Sequence, residues 1–416
     1  MRILCGIVLL LFMPSGISSA SDVLTLEECY ELALARSEEL LIHQEKIREA
    51  EGRFLEALGT VMPTATFEWS RKRQDGNNAS AFSLQDIPER KFVFTQPIFS
   101  GFKEFAALAA SRAQRRERAF ERRRAEHLLF LDVVDAFSLL RQQREDLATL
   151  EAIRLALVER LDELAARQRL GRSRPSDRVS AEARLRRDEA EIERVRRQEA
   201  TARHLLEFLT GLPQISGLAD DAAGAPMLDD EETCVQRAHL RPDVQAEEEA
   251  WRIVKHEVVV AQSGLWPDVD VEGNYYTRRV GNASGVDWDV LLKVEVPIFK
   301  GSEVLGDIQT ASAKARQAKW RFEQVHREAQ REIRDAYSDV QLAIARQQAL
   351  DRAWKAAEDN YRLQLDDYRL NIVNNLDVLQ TLQELQDVRR DLIAATYDVQ
   401  RLYQRLQIAT AHDPTT

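Results

Sequence analysis

Two aspartates, Asp177 and Asp377, stand 200 positions apart, each just past a point where a long helical segment must stop and reverse. Carboxylates gathered at a mouth raise the local negative potential and attract cations. The other chemistry open to them is helix capping. Asp377 followed by Gln380 has the spacing of a capping box, and Ser176 or Asp177 begins the helix after Pro175. Both roles can hold at once, because a cap at a turn also faces outward. The remaining candidates carry less. The seven histidines are scattered; His256 is followed by Glu257 but lacks the second His of a zinc helix, and no Cys pair has metal spacing. There is no phosphate loop and no assembled nucleophile motif, so we assign no catalytic, cofactor or metal residue and do not read the chain as an enzyme. Cys29 and Cys234 lie near corresponding positions of two similar halves and read as two buried free thiols rather than a disulfide. The arginines at 112, 115, 116, 118, 122, 123 and 124, interleaved with Glu117 and Glu121, read by default as a solvated helix face, with a ring of positive charge on a tunnel as the sharper alternative.

The elements that must position these residues are mostly helical. Of 416 residues, 58 are Lys or Arg and 69 are Asp or Glu, giving a net charge of -11, while Gly totals 16 and Pro 11. So few turn formers argue against an all-β fold of many short strands, and the acidic balance argues against a nucleic-acid partner. At 44% hydrophobic and 31% charged, the chain can bury a core and is not disordered.

Residues 1-20 read as a secretory signal: Arg2, the apolar run Ile3 to Met13, then Ser18 and Ala20 at the -3 and -1 positions of a cleavage before Ser21. Cys5 leaves with it, and no Cys follows the apolar run closely enough for lipid attachment. No other stretch approaches the roughly 18 apolar residues that a membrane-spanning helix requires. The expected destinations are periplasm, medium or outer membrane.

The chain is one unit of about 200 residues written twice. Gln96, Pro97, Ile98, Phe99, Ser100, Gly101 reappears as Val296, Pro297, Ile298, Phe299, Lys300, Gly301, and Leu170, Gly171 with Asp177 reappears as Leu370, Asn371 with Asp377. We place a first repeat at 21-210, a linker with Pro213, Gly217, Gly224 and Pro226 at 211-227, a second repeat at 228-410 and a tail at 411-416. Each repeat reads helix, two strands, long helix, sharp turn, helix. The helices are expected at 25-58, 101-170 and 176-210, then at 228-263, 301-370 and 376-410, with turns at 171-175 and 371-375. In 301-370 the apolar residues Ile308, Ala311, Ala315, Ala318, Phe322, Val325, Ala329, Ile333, Ala336 and Val340 mostly alternate spacings of three and four, a coiled-coil seam. Two short helices stacked end to end match the length of one long helix, about 105 Å at 1.5 Å per residue.

Strands are expected at 63-73, 88-97, 267-278 and 287-297. Phe67 and Trp69 alternate with Glu68 and Ser70, Tyr275 with Asn274, and Trp288, Val290 and Leu292 with Asp287, Asp289 and Lys293. Strands of about 10 residues with one apolar and one charged face suit a membrane barrel with a watery lumen, or a soluble sheet packed on a helix. On the barrel reading Phe67, Trp69, Tyr275, Trp288 and Val290 face lipid, and the polar segments 74-86 and 279-286 lie outside the cell. Four strands cannot close a barrel alone, since membrane barrels have at least about 8. Three copies supply 12.

Leu24, Thr25, Leu26 with Ala33 and Leu34, the two Pro-Ile-Phe-x-Gly segments, Arg241, Pro242, Asp243 and the hairpin turns together resemble the TolC family of outer membrane efflux proteins, over nearly the whole mature chain. Tyr368, Asn371, Asp377, Val378 and Leu379 are similar to the family's tip pattern, with Asn for Gly. Gly171, Ser173 and Asp177 fit it in the first repeat, with Pro175 and Arg178 as departures. Where family members carry a further acid and a basic partner, this chain has Gln380 and Val373. The resemblance implies a homotrimer whose 12-stranded barrel sits among outer membrane lipids and whose helical barrel crosses the periplasm. It implies Asp177 and Asp377 at the periplasmic aperture, and Gly171, Ser173, Tyr368, Asn371 and Asn374 at hairpin tips that meet a periplasmic adaptor joined to an inner-membrane transporter. The implied function is passive export in efflux or type I secretion, with no cofactor. The competing reading is a periplasmic coiled-coil structural or adaptor protein whose strands form a soluble sheet.

Overall fold

A computed structural model describes residues 23–75, 84–219, 228–281 and 283–414. The expected signal at 1-20 lies outside the described residues, as do parts of the 211-227 linker, of the polar segments 74-86 and 279-286, and of the tail. The order is β1 (Val23–Leu24), α1 (Leu26–Arg36), α2 (Glu38–Gly59), β2 (Thr64–Arg73), β3 (Asp86–Ser100), α3 (Lys103–Arg169) and α4 (Pro175–Thr210). It continues with β4 (Gly217–Leu218), α5 (Glu231–Gln236), α6 (Pro242–Gln262), β5 (Asp268–Arg278), β6 (Trp288–Glu295), α7 (Glu303–Arg369) and α8 (Asn375–Ala409). The same succession of elements thus occurs twice. Residues divide between two compact units, one built from 23–36, 132–219 and 346–401, the other from 37–131, 228–345 and 402–414; α3 and α7 contribute to both.

Local chemistry sets the ends of these elements. A capping box starts α1: Thr25 N–H donates to the Glu28 carboxylate at 2.9 Å, and Glu28 N–H donates to Thr25 Oγ1 at 3.1 Å. The expected single helix at 25-58 is two helices. Ser37 leaves helical geometry at ψ 113°, and its hydroxyl accepts from Leu40 N–H to cap α2. The expected helix at 228-263 is broken too, because Pro242 holds Arg241 in extended backbone at ψ 136° and takes the first position of α6 itself. Arg241 is buried and paired with Asp243 at 2.6 Å and Glu332 at 2.8 Å. The Arg-Pro-Asp motif therefore anchors a helix start to α7. The linker is also more than a breaker: Gly217 and Leu218 pair in parallel with Val23 and Leu24.

In the first unit, Leu150 on α3 packs against Ile192 and Val195 on α4. In the second, Val244 on α6 packs against Ala329 and Ile333 on α7, and Trp251 stacks on Phe322 with ring centroids 6.0 Å apart. The seam expected on α7 is the stripe that packs: Ile308 through Val340, as named, are buried or half-buried, while Trp320 and Leu342 on other faces are exposed. Cys29 and Cys234 are both free and buried. Burial pushes the Cys29 thiol up to about 12, with Glu28 adding to the effect.

The basic run on α3 is mostly neutralised within its own unit. Arg116 pairs with Glu249, Arg118 with Glu121, Arg122 with Glu126, Arg123 with Asp413 and Arg124 with Asp243, at 2.7 to 3.7 Å. That corrects the reading of a ring of positive charge: Glu121 and Glu126 on α3 itself, Asp243 and Glu249 on α6, and Asp413 face these guanidinium groups.

Candidate functional sites: a one-sided sheet and a pair of hairpin tips

The four strands form one sheet in the order β2-β3-β5-β6, with antiparallel neighbours throughout. Residues directly opposite one another share a face, so the register groups the side chains. Phe67, Phe92, Tyr275 and Trp288 form one continuous row across all four strands, and Ala65, Phe94, Gly273 and Val290 form the next. Trp69 stands two residues from Phe67 on the same face. The five expected lipid-facing residues are thus brought onto one surface, joined by Leu292, which belongs to the same alternation in β6, and by Phe92 and Phe94, which spacing within single strands did not single out. All are exposed, Trp288 at 67% and Val290 at 62%. The competing soluble reading requires a helix over this face; among the described residues none covers it.

The opposite face is polar. Lys91 lies 3.4 Å from Glu68, the Asn274 amide donates to Asp289 at 3.0 Å, and Tyr276 hydroxyl donates to Asp289 at 2.9 Å. The outer edges of β2 and β6 have no strand partner among the described residues. β3 runs on through Pro97 to Ser100, with an irregularity at Ile98 where Pro97 lacks a donor, whereas β6 stops at Glu295, short of the expected 297.

The two hairpin turns lie in the other unit and share a backbone design. Gly171 (φ 69°) and Asn371 (φ 60°) both adopt the left-handed conformation. After α3, Arg172 N–H donates to the Arg167 carbonyl at 2.8 Å and Gly171 N–H to that of Gln168 at 2.9 Å; after α7, Ile372 donates to Asp367 at 2.9 Å and Asn371 to Tyr368 at 3.0 Å. Both are Schellman motifs.

The capping expected at the two aspartates holds with the roles shifted. Asp377 is not a cap completed by Gln380; it is the acidic partner three residues after the cap Asn374. Asn374 N–H donates to the Asp377 carboxylate at 3.0 Å, while the Asn374 side-chain oxygen accepts from Leu376 N–H at 2.8 Å and Asp377 N–H at 3.1 Å. In the first repeat α4 starts at Pro175 rather than at Ser176 or Asp177. The Asp177 carboxylate accepts from Arg174 N–H at 3.1 Å and from Ser173 hydroxyl at 3.1 Å. Arginine carries no side-chain acceptor, so α4 forgoes half of the box, a loss of about 1 kcal/mol relative to a good cap.

Tyr368, expected at a partner-facing tip, is only 7% exposed. Its ring lies 3.7 Å from the Arg160 guanidinium and 4.7 Å from that of Arg167, within a cluster of Leu157, Leu164, Leu185, Val378 and Leu382. It packs the hairpins together; Gly171, Asn371 and Asn374 remain exposed, and Ser173 is half-buried. Beside Tyr368, buried Arg160 donates through two nitrogens to the Asn375 side-chain oxygen at 3.2 and 3.1 Å, and the Asn375 amide donates to the Asp177 backbone carbonyl at 3.1 Å. Sequence reasoning missed Arg160 and Asn375. The Asn374-Asn375 pair was a usable signal, since two adjacent amides at a helix start exceed what one cap needs.

The Outer membrane efflux protein family model matches residues 235–412. Nodulation protein T of Rhizobium leguminosarum bv. viciae is 22% identical over 248 residues, 58% of this chain and 52% of that protein, so the match spans about half of the curated relative. The solved channel CusC superposes with a TM-score of 0.80 at 18% identity, covering 92% of this chain and 91% of its own. The outer membrane protein VceC of Vibrio cholerae gives 0.77 at 19%, covering 92% and 95%. At such identities the structural likeness speaks for the fold, and it extends over both repeats. Residues 235–412, most of the second repeat, thus match the Outer membrane efflux protein family, and the fold of both repeats is that of these solved outer membrane channels.

Proposed function

We propose that the protein is the outer membrane duct of an export system, a passive conduit for solutes delivered by an energised inner-membrane transporter through a periplasmic adaptor. The observation that carries this reading is the row Phe67, Phe92, Tyr275, Trp288, exposed across all four strands and backed by a polar face. A sheet with that asymmetry and two unpaired edges is stable in lipid only when copies of the chain pair edge to edge and close it, because an open edge in hydrocarbon leaves backbone groups unsatisfied. Three copies give 12 strands, with the polar face lining the lumen. Phe67, Trp69, Tyr275, Trp288 and Val290 face lipid. Asp177 and Asp377 sit at the periplasmic entrance as members of helix caps, and the exposed tip residues Gly171, Asn371 and Asn374, with Ser173 beside them, meet the adaptor. Residues 1-20 direct export and are removed, and 21-210 and 228-410 act as the two repeats of each wall segment. No step calls for catalysis: the chain supplies a path, and the transporter supplies energy and selects cargo.

Insertion of the detergent-purified chain into planar bilayers tests this. Discrete, long-lived conductance steps are expected; a protein recovered wholly in the soluble periplasm that leaves bilayers silent would instead be the coiled-coil adaptor.

A further inference from the structure

Between residues 167 and 178 the first hairpin tip carries five arginines and one aspartate, while the equivalent stretch 367–378 carries one arginine and two aspartates. Arg169, Arg172, Arg174 and Arg178 are all exposed, and none has an ion pair among the described residues. The backbone does not require them. The second tip builds the same Schellman turn and the same acidic capping partner with Ile372, Asn374 and Val378 at the positions of Arg172, Arg174 and Arg178. Arg174 occupies a cap position where Asn374 in the other repeat accepts two backbone hydrogen bonds, and basic groups in the first turn of α4 oppose the helix dipole. These arginines stand at the tip despite their cost to the helix. Exposed apolar residues do not explain the asymmetry either, since Leu170 and Val179 on one tip are matched by Leu370, Ile372 and Leu376 on the other.

We infer that the first hairpin tip is an anion-attracting site, which makes small polyanionic solutes, carrying phosphate or several carboxylates, the class favoured at the entrance. The inference rests on the duct reading above for its place at a mouth. Guanidinium groups match phosphate and carboxylate geometry in pairs, and copies of the chain arranged around one opening add their fields there. The Asp177 carboxylate is engaged by Ser173 and the Arg174 amide and is outnumbered by its neighbours. The sign of the entrance is therefore opposite to the cation-attracting ring that the two aspartates alone suggest.

The test uses calorimetric titration of the detergent-purified full chain with inositol hexakisphosphate at low salt. It compares wild type with a set carrying Arg169→Gln, Arg172→Gln, Arg174→Gln and Arg178→Gln, and with the same four positions changed to Lys. Binding at least tenfold weaker in the Gln set, retained in the Lys set and weakened by added salt, supports the site. Equal binding in wild type and the Gln set, or none in wild type, overturns it. Should the Gln set lose its helical circular dichroism, Arg174→Asn replaces it; that change improves the cap, and binding two- to threefold weaker in a better-folded protein is expected, with unchanged binding counting against the site. A poly-glutamate peptide binding more than tenfold tighter than inositol hexakisphosphate would overturn the solute class in favour of an acidic protein partner. Binding without conductance steps would sink the duct and leave the site standing, whereas conductance with no polyanion binding would do the reverse.

Discussion

The side-chain amide of Asn375 donates to the backbone carbonyl of Asp177 at 3.1 Å, so the start of α8 is tied to the start of α4 by a partly buried bond between residues 198 apart in sequence. The same amide's oxygen receives two bonds from Arg160, which in turn lies against the ring of Tyr368 and pairs with Glu163 at 2.7 Å. Removing one member leaves buried polar groups without partners. Asn375→Leu is expected to destabilise the hairpin pair by about 1–3 kcal/mol, read as a lower midpoint in chemical denaturation. Asn374→Ala, which removes only an exposed cap, is expected to cost about 1 kcal/mol; a larger effect at 374 than at 375 would contradict the assignment.

The two turns make a matched pair for backbone strain. Gly171→Ala places a Cβ at φ 69° and is expected to cost about 1–2 kcal/mol, while Asn371→Gly relieves a strained residue and is expected to leave stability unchanged or slightly higher. No atom lies within 4 Å of a Cβ built on Gly171, so the cost is conformational and not a clash. Denaturation midpoints of the two variants, moving in opposite directions or one alone falling, check it.

How much of this was legible follows from which interactions are local. The left-handed turns at Gly171 and Asn371, the seam on α7 and the alternation of the strands depend on residue type and short spacing, and each appears where the sequence places it. The breaks at Ser37 and Arg241 were missed because helical periodicity resumes on both sides, and a single cap or a Pro at the first helical position reads as an interior residue. The shifted roles of Asp177 and Asp377 turn on one residue of helix start, below the resolution of spacing arguments. Tyr368, Arg160 and Asn375 depend on two hairpins lying side by side, which no local pattern encodes.

His127 is 2% exposed, and neither ring nitrogen has a hydrogen-bond partner among the described residues. Burial holds its pKa down at about 4, with Arg123 and Arg124 adding repulsion, against an ordinary 6.5. Between those values the unfolded chain takes up a proton that the folded chain refuses. The neutral imidazole's contribution is therefore intact above pH 6.5 and is lost as the pH falls toward 4, by up to about 3 kcal/mol. His127→Leu should flatten that slope in stability measured from pH 7.5 to 4; parallel curves for the two proteins would show that another group sets the acid limit.

Val290 lies near the middle of β6, in the row next to Trp288 and 62% exposed. With that face in lipid, Val290→Arg is expected to cost about 2–4 kcal/mol of barrel stability, whereas Asp289→Asn on the polar face should cost far less. Unfolding of the two variants from lipid vesicles decides between lipid and water on that side of the sheet.

One chain leaves the four-stranded sheet open at β2 and β6, and on the duct reading copies of the chain close it. The mass of the full-length protein extracted from membranes in mild detergent, measured by light scattering with the detergent contribution removed, is the most direct test. A stable assembly of three chains is predicted, giving 12 strands from four per chain. A stable monomer would contradict it, because β2 and β6 would then keep bare edges in an apolar medium.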